Sequence, residues 1–255
     1  MIPYSALEPT YNLFGIIPIQ LWGVMVAIGF MALFFIARKE AVRKGLNPEL
    51  YYDLFFNIFV GAVIGARIWF ILFDWPNDEP LTLLGAISLW NGGMAFFGGF
   101  SGAIISGFIF TKLRKISFFD YADTVILGLP IGHFFGRIGC FLVEMHPGIQ
   151  TTVPWALYHI NGPYIGQLRH PVIIYEQMYL LIFFAILFVL RKKLNVSGQL
   201  CAVYGILYGT ARFFNDFLRE PSTDPRFYGF TATQYGLVVL VILSVSYLVY
   251  AYKKK

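Results

Sequence analysis

The sequence predicts an all-α integral membrane protein with about seven transmembrane helices, and three observations carry that reading. Hydrophobic residues make up 58% of the 255 residues and charged ones only 13%, whereas soluble domains carry about 25% charged residues. Seven segments hold the roughly 20 mostly apolar residues that a bilayer-spanning helix needs. The Lys and Arg residues fall on alternate connections between those segments.

By number the segments are about 17–37, 52–74, 91–111, 119–141, 172–190, 198–218 and 233–251. The fourth and sixth are the least uniform, because each carries polar residues. Arg38, Lys39, Arg43 and Lys44 follow the first segment, and Lys112, Arg114 and Lys115 follow the third. Arg191, Lys192 and Lys193 follow the fifth, and Lys253, Lys254 and Lys255 the seventh. Thirteen of the nineteen basic residues thus share one side, while Arg169, Arg219 and Arg226 lie in loops on the other. Basic loops stay cytoplasmic, which predicts the N-terminus outside and the C-terminus in the cytoplasm. A miscounted helix would break the alternation, so count and direction support each other. The basic face accounts for the net charge of +5 without nucleic acid, and it suits the anionic lipids of a bilayer.

The loops on the other side are acidic or mixed, with Asp74, Asp78 and Glu79 in the first. The stretch 143–170 is rich in Pro, Gly, His and aromatic residues and reads as a small extracytoplasmic cap. No internal repeat or separate soluble region is visible, so residues 1–255 are expected to form a single transmembrane domain. No basic n-region or small-residue cleavage site marks a signal peptide, so the first apolar run reads as a retained helix. The two cysteines, Cys140 and Cys201, give neither a disulfide framework nor a metal-ligand spacing.

Arg67, Arg137 and Arg212 fall inside apolar segments. A charge at helix centre costs about 2.5–3.5 kcal/mol on insertion scales, so three of them call for pairing, hydration or a place near the boundary. All three lie toward the same end of their helices. They can form a basic cavity for an anionic group, or they can snorkel or pair internally with Asp216, Glu176 or Glu144. Arginine suits phosphate, because its planar fork grips two oxygens and keeps its charge.

Glycines spaced around Arg137 (Gly132, Gly136 and Gly139) permit close helix approach or a break. A second set, Gly92, Gly93, Gly98 and Gly99, opens the third segment, where free N–H groups and missing side chains admit a ligand or simply allow packing. Arg212 and Asp216 are four apart and share a helix face, with Arg219 about two turns on. A carboxylate between two arginines can hold both or act as a base, and positioning is the expected role. His133 lies one turn before Arg137 and titrates near neutrality when unperturbed, which makes it a candidate base or a packed core histidine. His146, beside Glu144 in the cap, is a second candidate or a loop-ordering residue; His159 carries no specific signal. Trp22, Phe96, Phe97, Tyr175 and Tyr208 fit acyl-chain pockets or an interfacial belt.

Taken in order, these motifs resemble the bacterial prolipoprotein diacylglyceryl transferase family over almost the whole chain. The resemblance runs through Met1-Ile2-Pro3-Tyr4, Leu21-Trp22-Gly23 and Gly65-Ala66-Arg67-Ile68. It continues through Trp90-Asn91-Gly92-Gly93-Met94 with Gly98-Gly99, then Gly136-Arg137-Ile138-Gly139. Arg169-His170-Pro171 with Tyr175-Glu176 and the arginine-rich end of the sixth segment complete it. The resemblance implies transfer of the diacylglyceryl group of phosphatidylglycerol to the lipobox cysteine of a preprolipoprotein, at the extracytoplasmic face of the bacterial plasma membrane. Glycerol 1-phosphate leaves, and no metal or cofactor is implied. Arg137 and Arg212 are carried over as phosphate ligands, and Arg219 as a supporting basic residue. Glu176 is expected to anchor the Arg169–His170 motif. Arg67, Gly98, Gly99, Gly139, Glu144 and His146 complete the expected substrate contacts.

The chain departs from the family pattern at five places. Trp22 replaces a usual Tyr, Phe97 a His, and Cys140 an Asn. Met145 falls where a Glu is usual, with Glu144 one residue away, and Asp216 replaces a Glu. The departures fall on candidate bases and spare the arginines. They leave open a paralogue with another lipid donor or acceptor, and a non-catalytic lipid binder. An organic-anion transporter using the arginines is a further reading, which the lack of inverted halves weakens.

Overall fold

The computed structural model describes residues 1–13, 17–75, 82–88, 93–223 and 225–253. Trp90, Asn91 and Gly92 of the Trp90–Met94 motif, Asp78, Glu79, Lys254 and Lys255 lie outside the described residues. In chain order the elements are β1 (Ile2–Tyr4), β2 (Thr10–Leu13), β3 (Ile17–Gln20), α1 (Leu21–Arg43) and α2 (Leu50–Trp69), which runs on as a π-helical turn over Phe70–Asp74. Next come α3 (Leu83–Ile87), α4 (Phe96–Leu113), α5 (Phe118–Leu142), β4 (Leu157–His159), β5 (Leu168–Arg169) and α6 (Val172–Leu190). The chain ends with α7 (Gln199–Asp216), β6 (Arg226–Phe227), β7 (Phe230–Thr231) and α8 (Ala232–Lys253).

Each of the seven apolar segments yields a helix of at least 18 residues. Five are long and apolar enough to cross a membrane: Leu21–Arg43, Leu50–Phe73, Phe118–Leu142, Val172–Leu190 and Ala232–Lys253. The apolar stretch of α4, Phe97–Leu113, is shorter, and α7 carries the polar residues that made its segment uneven. The first helix starts later than its segment, because Ile17–Gln20 pairs antiparallel with Thr10–Leu13.

The chain divides into two compact units, Met1–Glu40 with Ala122–Lys255, and Ala41–Tyr121. In the second unit α2 and α4 cross at backbone contact. A Cβ on Gly98 would strike the Gly65 carbonyl, and one on Gly102 the Gly61 carbonyl. This small-residue crossing replaces a hydrophobic driving force that lipid cannot supply.

The first unit packs in the same way. Gly29 of α1 meets Gly132 of α5, and Gly139 sits 3.0 Å (Cβ position) from the Trp22 Cα. Leu127, Phe183, Leu187, Leu200 and Tyr204 form a core joining α5, α6 and α7. Asp123 of α5 accepts from the Gly198 N–H at 2.8 Å and the Cys201 N–H at 3.0 Å, capping the start of α7.

At the other end of α5 lies a small cap. Strand β1 pairs parallel with β4, and β4 antiparallel with β5. The N-terminal residues are therefore woven into the 143–170 region, with the Met1 ammonium donating to the Pro154 carbonyl at 2.9 Å. Nothing local in residues 1–5 announces this, because a parallel pairing across some 150 residues is a tertiary event.

Candidate active site

The apolar helices deliver their charges to one place in the first unit. Glu176, one turn into α6, is completely buried. Its Oε2 lies 3.1 Å from Arg137 Nε of α5 and 3.6 Å from an Arg219 terminal nitrogen. Its Oε1 lies 3.6 Å from His133 Nε2 and 3.9 Å from Arg212 Nε, and it accepts a 3.3 Å hydrogen bond from the Tyr208 hydroxyl. Asp216 forms the second anionic pole. Its Oδ1 pairs with Arg212 within α7 and lies 3.7 Å from Arg219 Nε. Its Oδ2 accepts from the Thr231 hydroxyl.

Helix periodicity explains half of this arrangement. His133 and Arg137 are four apart, as are Arg212 and Asp216, so each pair shares a face. Helix α7 ends at Asp216, and the turn that follows swings Arg219 back onto both carboxyl groups. Tertiary packing supplies the other half by setting the buried Glu176 between two arginine-bearing helices.

Three guanidiniums thus face two carboxyl groups, so a fully ionised cage carries one excess positive charge. Buried pairing of this kind repays desolvation only when the polar atoms are satisfied. Arg212 and Arg219 are nearly sealed, with side chains 4% and 3% exposed, whereas Arg137 is 14% exposed. Arg137 is therefore the open arm of the cage. Beyond its Glu176 contact, it donates toward the Cys140 sulfur at 3.7 Å.

The remaining sequence candidates are placed elsewhere. Glu176 does not anchor Arg169 and His170; it is the hub of the cage. Arg169 is held instead by the Gly148 carbonyl and the Glu220 carboxylate, both at 2.6 Å, and by Gln167, with its guanidinium over the Tyr164 ring. His170 meets the Tyr175 hydroxyl at 3.2 Å, and burial lowers its pKa. Glu144 pairs with His159 at 2.5 Å, the histidine that carried no signal in the sequence. His146 lines a cavity in the cap with Tyr4, Glu144, His159 and His170. Burial lowers the His159 pKa and outweighs the opposing pull of Glu144. Burial first, and Glu144 second, push the Tyr4 hydroxyl up to about 12.

In the second unit, Arg67 donates to the carbonyls of Ala86 at 2.8 Å, Gly93 at 2.7 Å, Gly85 and Ser88. Its guanidinium also stacks near Phe70 and Trp75. A guanidinium so engaged ties α3, Ser88 and Gly93 to α2. Gly98 and Gly99 face α2, so their missing side chains serve helix packing. Gly139 does the same against α1.

Across residues 9–250 the chain matches the family model described as prolipoprotein diacylglyceryl transferase. The chain belongs to that family. Three similar relatives all carry the name phosphatidylglycerol–prolipoprotein diacylglyceryl transferase. The Mannheimia succiniciproducens protein is 32% identical over 263 residues, covering 100% of this chain and 96% of the relative. The Listeria innocua protein is 31% identical, covering 96% and 90%, and the Chromohalobacter salexigens protein 29%, covering 96% and 92%. With its apolar helices, this member of the diacylglyceryl transferase family is a multi-pass membrane protein. Sequence reasoning gave His159 no specific signal and overlooked Thr231 and Gln234. For the last two a signal existed, since Thr231-x-x-Gln234 ahead of an apolar run is a capping box.

Proposed function

We propose that the chain transfers the diacylglyceryl group of phosphatidylglycerol to the lipobox cysteine thiol of a preprolipoprotein. The thiolate sulfur bonds to the glyceryl carbon, the carbon–oxygen bond to phosphate breaks, and glycerol 1-phosphate leaves with the electron pair. The single observation behind this reading is the cage of three arginines against two carboxyl groups, which leaves positive charge where a phosphate can bind.

Donors fixed in advance at the leaving oxygens lower the barrier, and they act most strongly where water is excluded. Arg137, the open arm, meets the phosphate first; Arg212 and Arg219 neutralise the charge that grows on it. Glu176 and Asp216 hold the forks in place and keep the empty cage from unpaired repulsion. The thiol must lose a proton before attack. His133, at the edge of the cage and 21% exposed, is the accepting group in this reading. No metal or cofactor takes part.

The chain acts as a single transmembrane domain crossing the bacterial plasma membrane seven times, with the N-terminus and the cap outside. The lipid enters from the bilayer and the acceptor from the outer face. The test is purified protein with phosphatidylglycerol and a lipobox peptide. A peptide heavier by one diacylglyceryl group, with glycerol 1-phosphate released in equal amount, is the expected result. No product, while one of the named relatives is active in parallel, overturns the proposal.

A further inference from the structure

Thr231 stands immediately before α8 and performs two tasks at once. Its oxygen accepts from the Gln234 N–H at 3.1 Å, and Gln234 Oε1 accepts from the Thr231 N–H at 2.9 Å. This reciprocal capping box satisfies two backbone donors at the helix start. Gln234 also donates to the Phe213 carbonyl at 3.0 Å, tying α8 to α7. Thr231 is 4% exposed and Gln234 fully buried, so water does not compete for these groups.

With its oxygen taken by Gln234, the Thr231 hydroxyl still has its hydrogen, which goes to Asp216 Oδ2. The arginines take the other oxygen, Oδ1. Each oxygen of the carboxylate thus has a separate tether. Without the Thr231 bond, the carboxylate is held on one side only and can turn about its last torsion. Arg212 and Arg219 then lose their common orientation. Asp216 is short, so its oxygens sit close to the backbone and depend on a donor delivered to them.

We propose that Thr231 is a positioning residue for the phosphate-gripping arginines, acting through Asp216. The proposal rests on the transferase reading above. It makes the cap at the start of α8 part of the anion site.

The experiment uses the full-length detergent-solubilised protein and two readouts. One is the melting-temperature shift produced by glycerol 1-phosphate; the other is KM and kcat for transfer from phosphatidylglycerol. Thr231→Ser keeps the cap and the hydroxyl and is expected to match wild type in both. Glycine is tolerated at a helix cap, so Thr231→Gly removes the hydroxyl, and with it the bonds to Asp216 and the Gln234 N–H, while leaving a residue the helix start accepts. It is expected to lose most of the glycerol 1-phosphate shift and to show about a tenfold lower kcat/KM, the scale of one hydrogen bond to a charged group. Gln234→Met breaks the cap and spares the hydroxyl. It is expected to melt lower while keeping the ligand shift, and it tests the proposal even if the glycine variant does not fold.

Unchanged shift and kinetics in Thr231→Gly would overturn the proposal. So would a ligand shift lost in Gln234→Met, because Thr231 would then be a helix cap and nothing more. A wild-type protein with a glycerol 1-phosphate shift but no transfer sinks the transferase reading and leaves the ligand shift to decide the role of Thr231. A wild-type protein with no shift overturns the anion site and the positioning role with it.

Discussion

Replacing Glu176 by Gln removes one negative charge from the centre of the cage and almost nothing else. The amide keeps the volume and one acceptor oxygen. At an effective dielectric of about 20, a unit charge pair at 3.1 Å is worth about 5 kcal/mol, and one at 3.6–3.9 Å about 4 kcal/mol. Those attractions offset the cost of burying three guanidiniums, so they do not appear whole in the stability. The measurable part is the loss on breaking a buried pair, roughly 3–5 kcal/mol. For a chain of this size each kcal/mol moves the melting temperature by about 2–4 °C, so Glu176→Gln is expected to melt about 6–20 °C lower. A second consequence separates this from ordinary core damage. The variant cage carries one more uncompensated positive charge, so millimolar phosphate should restore more of its melting temperature than it adds to wild type. Thermal melts of purified protein with and without phosphate read both effects. A melting temperature within about 2 °C of wild type, or a phosphate effect no larger than in wild type, would refute the reasoning.

Arg67→Met keeps the aliphatic stem but removes the donors to the carbonyls of Gly85, Ala86, Ser88 and Gly93. A buried acceptor left without a donor costs about 1–3 kcal/mol, so limited proteolysis should cut within 82–88 much faster than in wild type. Gly98→Leu drives a side chain into the Gly65 carbonyl, an overpacking that costs about 1–3 kcal/mol or more; size-exclusion chromatography should show little monodisperse protein. The cap should respond to pH at both ends. His159 and His170 have pKa values lowered by burial, so their contribution is intact above pH 6.5 and fades as the unfolded histidines gain protons below it. Tyr4, raised to about 12, contributes below pH 10 and loses that contribution between 10 and 12. The protection factors of amides 157–159, with the intrinsic pH dependence of exchange divided out, should therefore fall below pH 6 and again above pH 10; protection that is flat over both ranges would contradict the burial of these groups.

The helices were legible in the sequence because long apolar runs need no tertiary information. Two pairs of the cage were legible too, since Arg212 with Asp216 and His133 with Arg137 follow from helical spacing alone. Glu176 was named both as an internal partner for the buried arginines and as an anchor of Arg169–His170, and the sequence did not choose between them. Its meeting with Arg137 and Arg219 depends on how α5, α6 and the turn after α7 pack. Arg67 and Arg137 look alike in sequence, each an arginine amid glycines. One is held by backbone carbonyls and the other by a carboxylate, and only the folded chain separates them. Gly98 could be read as ligand approach or as packing, and the backbone contact with Gly65 decides for packing. The Glu144–His159 pair was hidden because it joins a helix end to a strand across a loop.

The most direct test of the arginine cage is the transfer assay run on Arg137→Ala and Arg212→Ala beside wild type, with membrane insertion checked for each. Both variants are expected to insert normally and to release glycerol 1-phosphate at least a hundredfold more slowly, the scale of removing one preorganised donor from a developing anion. Full activity in either inserted variant would mean that the leaving phosphate is not held by the cage.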